Sequence, residues 1–246
     1  MLYLMSYTTI KLQPRTSLSS KRPMTLKRPF ATAFPRSSFY YLFFFFIYIP
    51  SNMSKNVTFC FDFGSPYSYL AYNNLSALKD AGASVEILPV LLGGIFKATG
   101  NQPPASVPKK GEYMFKDITR WSKKLDIPFK MNPYFPILTV PHMRGAVLAQ
   151  KEGLLEKYME TMFESIWVKA MNLNDQEILT QVANQSGIDA NAFSEGISSD
   201  EIKNKLRENT EFAIGKGSFG VPTFYLENEM FWGIDSMKFL IADIQK

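Results

Sequence analysis

Residues 56–63 (NVTFCFDF) alternate between apolar and polar side chains and are rich in Val, Thr and Phe, the two-residue period of a strand. Gly64 ends the run. Ser65-Pro66 has the form of an N-cap followed by proline at the first helical position, so a helix is predicted over residues 67–81, closed by Gly82. Residues 84–89 (SVEILP) predict a second strand. Strand, helix and strand together make a βαβ unit with a parallel, right-handed crossover. From 91 to 216 the apolar spacing changes to a helical period. Helices are predicted at 109–125, 142–151, 154–170, 175–186 and 199–215, with no convincing strand between them. Residues 223–226 and 230–232 then predict two short strands around the polar turn Glu227-Asn228-Glu229, and 236–244 a final helix.

The order βαβ, helices, ββα is the thioredoxin arrangement with a helical block between its halves. The fold class read from it is α/β, with residues 55–90 and 217–246 forming the thioredoxin-like domain and 91–216 an inserted helical domain. Gly220-Val221-Pro222-Thr223 fits that reading, because thioredoxin folds place a cis proline where the chain enters this strand, and only X-Pro bonds reach cis at low cost. A cis bond there would present the Val221 backbone as a short edge for a peptide-like ligand. The alternative is an ordinary trans proline at a strand start.

Composition changes the picture mainly at the N-terminus. The chain has 246 residues, 46% hydrophobic and 20% charged, enough to bury one full core. Its formal charge of +5 points toward nucleic acid until it is mapped: residues 1–54 hold seven of the 27 basic residues and no acid. The remaining 20 basic residues face all 22 acidic ones, a net charge of −2, which argues against nucleic acid as a partner. Residues 1–54 read as a leader or targeting segment, expected to be disordered, and residues 1–39 in particular have the Ser/Thr-rich, acid-free composition of organelle-import peptides. The apolar run at 40–49 (YYLFFFFIYI) is about half the ~20 residues a membrane-crossing helix needs, so no stable span is expected. Met53 is the alternative start of the protein. The single cysteine, Cys60, excludes an internal disulfide, a CxxC pair and a cysteine-rich zinc site, and its place in a strand pattern predicts core packing.

The candidate chemistry lies at Gly64-Ser65-Pro66-Tyr67-Ser68. In the thioredoxin layout this loop carries the redox cysteines. Serine fills both positions here, so disulfide exchange is excluded. A hydroxyl at a helix N-terminus suits an anion such as a thiolate, whose pKa falls from about 8.5 near such donors. Ser65 as a helix cap alone is the plain alternative. A serine nucleophile would need a neighbouring base, and the only histidine, His142, opens a predicted helix with no evident partner. A helix cap or packed surface residue describes His142 better.

Four strings in order, FDFGSPYSYLA (61–71), GGIFKATGNQPP (93–104), GVPTF (220–224) and MFWGIDS (230–236), resemble the kappa-class glutathione transferases and the related 2-hydroxychromene-2-carboxylate isomerases. The resemblance spans residues 56–246 and implies a thioredoxin-like fold with a DsbA-type all-helical insertion. It implies that Ser65 is the catalytic residue, hydrogen-bonded to the glutathione sulfur, with Pro66 and Tyr67 continuing that wall. Asn101 would bind glutathione. The Val221 backbone would pair with its cysteinyl part, with Pro222 beside it in the glutathione site, and Trp232, Gly233, Ile234 and Asp235 would hold the γ-glutamyl end. Lys97 falls where the isomerases contact substrate, and Tyr134 is a candidate for the acceptor pocket. The family commonly has Arg after the last Asp, whereas this chain has Ser236, which removes a bidentate carboxylate clamp and leaves one hydroxyl.

What the resemblance implies is a kappa-type transferase that activates glutathione as a thiolate against small electrophiles, in detoxification, with isomerase or peroxidase side activity. A glutathione-dependent cis-trans isomerase is the alternative. A DsbA-like thiol oxidoreductase or an inactive glutathione-binding module are further ones. Glutathione is the cosubstrate, no metal is expected, and a homodimer is implied. The location would be mitochondrial if residues 1–54 are a presequence, and otherwise cytoplasmic or peroxisomal.

Overall fold

The computed structural model describes residues 54–246. The leader expected over 1–54, with its apolar run, lies outside the described residues except for Ser54. The chain forms β1 (Lys55–Phe61), α1 (Pro66–Tyr72), α2 (Ser76–Asp80), β2 (Ala83–Pro89) and α3 (Leu92–Thr99). After a 3₁₀ turn come α4 (Pro108–Leu125), α5 (Val140–Lys151), α6 (Leu155–Trp167), α7 (Gln176–Gln185), α8 (Ala190–Gly196) and α9 (Asp200–Gly215). β3 (Thr223–Leu226), β4 (Glu229–Trp232), a second 3₁₀ turn at Ile234–Ser236 and α10 (Met237–Ile244) complete it.

One sheet runs in the order β2-β1-β3-β4. β1 is parallel to β2 and antiparallel to β3, and β3 is antiparallel to β4, the thioredoxin topology that the pattern predicted. The two-sided burial of β1 explains why its sequence is so aromatic. Val57, Phe59 and Phe61, with Phe63 just beyond, are fully buried in the core shared with Tyr158, Phe163 and Trp167 of α6. Burying each such side chain stabilises the fold by about 1.5–3 kcal/mol. On the opposite face Cys60 packs with Val90, Ile95, Ala213, Val221 and Tyr225. Burial pushes its thiol up to about 12, so Cys60 behaves as a small core hydrophobe, as expected.

Three elements depart from the predicted pattern. The first helix breaks into α1 and α2, because Asn73 caps α1 and returns its side-chain N–H to the Tyr69 carbonyl at 2.9 Å. Two successive asparagines compete for backbone hydrogen bonds and favour ends over interiors. α3 has no clear periodic signal in the sequence, since Gly93 and Gly94 lower its intrinsic propensity. Its start is held from outside instead: the Leu91 N–H donates to Thr210 Oγ1 and the Leu92 N–H to Asp62 Oδ2. α8 was also missed, being only seven residues long, although Asp189 caps it at the N–H groups of Asn191 and Ala192. Among the described residues no helix is long and apolar enough to cross a membrane.

His142, expected as a cap or surface residue, is fully buried at the start of α5, and neither ring nitrogen has a hydrogen-bond partner among the described residues. Burial lowers its pKa to about 4, against the weaker pull of the Leu173 and Leu138 carbonyls. The helix comes this close because residue 145 is glycine: a Cβ there would lie 2.1 Å from the Tyr158 hydroxyl, which donates to the His142 carbonyl. The folded state therefore binds the imidazole proton more weakly than the unfolded chain. Stability contributed by neutral His142 is present above about pH 6.5 and is lost as pH falls toward 4, by about 3 kcal/mol in total. As the chain has one histidine, NMR titration of its imidazole protons reads this without ambiguity. A midpoint near 6.5 would contradict the burial argument.

Candidate functional site

The β1–α1 loop builds the site. Ser65 is the N-cap of α1, with φ −98° and ψ 112°, and Pro66 occupies the first turn. Proline brings no N–H, and the Ser68 N–H is taken by Ser65 Oγ at 3.2 Å. Among the described residues the Tyr67 N–H has no partner, which leaves it as the free donor of this turn. Ser65 is only 5% exposed, and its hydroxyl donates to the Val221 carbonyl at 3.2 Å.

That contact joins two segments 156 residues apart in sequence. The Val221-Pro222 bond is cis, so the bland trans reading of GVPT does not hold. The Val221 N–H has no partner among the described residues and its carbonyl takes only the Ser65 hydroxyl. A strand edge one residue long is thus open beside the hydroxyl, suited to an extended peptide-like ligand.

One carboxylate holds this frame. Asp62 is fully buried three residues before Ser65. Its Oδ1 accepts the Gly64 N–H at 2.8 Å, and its Oδ2 accepts the Leu92 N–H at 2.8 Å and the Thr139 hydroxyl at 3.1 Å. The loop carrying Ser65, the start of α3 and the residue before α5 therefore meet on one side chain. Burial raises the Asp62 pKa above the usual carboxylate value, and these three donors offset only part of that rise. Sequence reading passed over Asp62 as the polar partner in an alternating strand. The available signal was an acid enclosed by Phe61 and Phe63, where only an internally satisfied carboxylate is tolerable.

The remaining candidates fall into three groups. Tyr67 is half-buried and its hydroxyl donates to Asp117 Oδ2 at 3.0 Å on α4. Its pKa is raised, by burial first and by Asp117 next, with Asp235 among the charges facing it, so this phenol stays protonated. Tyr67 and Asp235 thereby border the same region. Asn101 reaches across from the loop after α3: its Nδ2 donates to the Phe219 carbonyl at 2.7 Å, while its Oδ1 accepts the Gln102 N–H. Trp232, 47% exposed, packs on Phe219 with ring centroids 4.9 Å apart. Gly233 adopts φ 83°, and its N–H donates to the Pro222 carbonyl at 2.9 Å, which ties the Trp232–Ser236 turn to the cis proline. Ile234 is buried under that turn and Asp235 is exposed. The Ser236 hydroxyl donates to the Gly233 carbonyl at 2.8 Å, so its proton closes the turn.

Among the described residues Lys97 and Tyr134 make no hydrogen bond to this cluster. Lys97 is exposed on α3 and lines a groove between α3, α5 and α9. Tyr134 is 49% exposed, and its backbone is fixed by the buried Asn132, whose Oδ1 accepts the Tyr134 N–H at 2.9 Å. No hydrogen bond joins His142 to Ser65, and its imidazole is enclosed, so the serine-nucleophile alternative lacks its base. Among the described residues no group of three or more His, Cys, Asp or Glu is placed to hold a metal ion.

The profile of the DSBA-like thioredoxin domain matches residues 56–245. The chain is 30% identical over 191 residues to a 2-hydroxychromene-2-carboxylate isomerase of Sphingobium xenophagum, covering 76% of this chain and 97% of that one. It is 31% identical over 195 residues to glutathione S-transferase kappa 1 of Rattus norvegicus, covering 73% and 86%. Among solved structures, a 2-hydroxychromene-2-carboxylate isomerase superposes with a TM-score of 0.70 at 29% identity, covering 77% of this chain and 94% of the other.

Proposed function

Since this chain belongs to the DSBA-like thioredoxin family, within the branch of kappa glutathione transferases and 2-hydroxychromene-2-carboxylate isomerases, we propose that it is a kappa-type glutathione transferase acting on small electrophiles. The observation that carries this reading is the Ser65 hydroxyl, capping α1 and touching the Val221 carbonyl beside an unpaired Val221 N–H.

Glutathione lies extended along Val221, its cysteinyl N–H and C=O pairing with that residue's backbone. The Ser65 proton turns from the Val221 carbonyl to the sulfur, and the Tyr67 N–H is the second donor in reach. Both interactions favour the thiolate over the thiol, so the thiol proton leaves to solvent and no protein base is required. Asp235 takes the ammonium of the γ-glutamyl end, with Trp232, Gly233 and Ile234 shaping the turn that presents it. Asn101 closes the opposite side of the tripeptide. The thiolate then attacks the electrophile: a carbon–sulfur bond forms and the leaving group departs with its electron pair.

The isomerase reading uses the same thiolate. It adds to a conjugated carbonyl compound, the intermediate rotates, and the same carbon–sulfur bond breaks, so glutathione is regenerated. Thiol oxidoreduction is set aside because Ser65 and Ser68 replace both cysteines and Cys60 is sealed in β1. For the whole chain we propose a homodimer with a detoxifying role. Its location is mitochondrial if residues 1–54 are a presequence, and cytoplasmic or peroxisomal otherwise.

Titrating glutathione into the protein near neutral pH while following ultraviolet absorbance tests the shared step. A thiolate band saturating with glutathione is expected, and tight binding without that band would leave only an inactive binding module. Mixing glutathione with a conjugated cis-alkenyl ketone then separates the activities, since the transferase consumes glutathione and the isomerase does not.

A further inference from the structure

The two faces of α4 differ in kind. Inward, Gly111, Met114 and Ile118 are buried, and Phe115, Trp121 and Leu125 pack against the core. Asp117 also turns inward, to the Tyr67 hydroxyl. Outward, Lys109, Tyr113, Lys116, Arg120 and Lys123 follow one another at alternating steps of four and three residues, with Lys124 beside the last, and all six are exposed. That spacing sets them along one line of the helix, about 22 Å long at 1.5 Å per residue.

The line is cationic in a chain that is not. α4 holds six basic residues and two acids, whereas residues 55–246 as a whole hold 20 basic residues and 22 acids. Lys109 pairs with Glu112 at 2.9 Å, but among the described residues Lys116, Arg120, Lys123 and Lys124 have neither a carboxylate within 4.0 Å nor a side-chain hydrogen bond. Aromatic rings lie among these charges. Tyr113 is 61% exposed, with the Arg120 guanidinium 5.8 Å from its ring centre, and Lys124 Nζ stands 4.8 Å over Trp121.

We propose that this face of α4 docks the protein on a membrane surface bearing anionic lipid headgroups. The charges are mostly lysines, point charges on flexible stems without the planar fork that grips one phosphate or carboxylate bidentately, so they match a diffuse negative field better than a set of placed acceptors. Their aliphatic stems and the Tyr113 ring suit the headgroup boundary, where amphipathic side chains lie with the apolar part down and the polar end in water. Each Lys or Arg brought to an anionic leaflet strengthens attachment roughly fivefold. Attachment is peripheral, since the inward face of α4 stays in the core.

Sedimentation of the full chain with vesicles of phosphatidylcholine containing about a third phosphatidylserine tests this. Binding is expected to these vesicles and not to pure phosphatidylcholine, and to fade between about 0.1 M and about 1 M salt, where the Debye length falls from about 10 Å to about 3 Å. Residues 1–54 carry seven further basic residues, so the α4 variants decide the matter. Lys116→Glu/Lys123→Glu should weaken binding by about tenfold or more with the unfolding midpoint unchanged, and Lys116→Arg/Lys123→Arg should retain it. Lys151→Glu/Lys157→Glu, the same change in net charge at exposed positions on α5 and α6, should alter it by no more than about threefold. Equal binding to both kinds of vesicle, or equal weakening by the α4 and the α5/α6 variants, would overturn the proposal. So would indifference to the vesicles together with tight binding of poly-glutamate, which would make the stripe a docking face for an acidic protein.

Discussion

Replacing Ser65 with alanine should lower kcat/KM for conjugation of 1-chloro-2,4-dinitrobenzene by about 10²–10³-fold at pH 7, the usual cost of losing one donor to a developing or resident anion. The loss should shrink as pH rises past glutathione's own thiol pKa, about 8.5, because the unassisted thiol then ionises in solution. KM for glutathione should move little, since the Val221 edge and the Trp232–Ser236 turn are untouched. The fold should persist: losing an N-cap costs about 1 kcal/mol, small against a core that buries Phe59, Phe61, Phe63 and Trp167 completely. The pH-rate profiles of both proteins, read with their unfolding midpoints, check this. Equal rates at every pH would remove Ser65 from the mechanism.

The second large effect belongs to Asp62, which touches neither sulfur nor electrophile in this scheme and acts by positioning. Asp62→Ala strands the Gly64 and Leu92 N–H groups and the Thr139 hydroxyl at a fully buried position. An unpaired buried donor costs about 1–3 kcal/mol, so a loss of about 3 kcal/mol or more in unfolding free energy is expected. Asp62→Asn keeps the volume but faces an NH₂ toward donors, and should retain the fold better while still loosening the Ser65 loop. Its diagnostic readout is the bound thiol: if Asp62 holds Ser65 in place, the pKa of enzyme-bound glutathione rises in Asp62→Asn and kcat falls more than KM rises. An unchanged thiol pKa with reduced stability would make Asp62 a purely structural residue.

Much of this is legible in the sequence alone. The period-2 run at 56–63 locates β1 and the Ser-Pro pair the start of α1, because each rests on chemistry within a few residues, whereas the Val-Pro string by itself left cis and trans both open. Where local chemistry was weak, the reading failed. α3 carries two glycines and exists because Asp62 and Thr210 take its first N–H groups from 30 and 119 residues away. His142 looked like an end-of-helix residue, and its burial depends on Gly145 admitting Tyr158 of α6.

The site divides along the same line. That a serine, not a cysteine, stands at the start of α1, and that the chain has no CxxC pair, follow from the order of residues alone. That the Ser65 hydroxyl meets the Val221 carbonyl, that Asp62 joins three segments, and that α4 turns Lys116, Arg120 and Lys123 outward were decided by tertiary structure. Hydrogen bonds and charge fields act over a few ångströms of space, and a sequence records only separation along the chain.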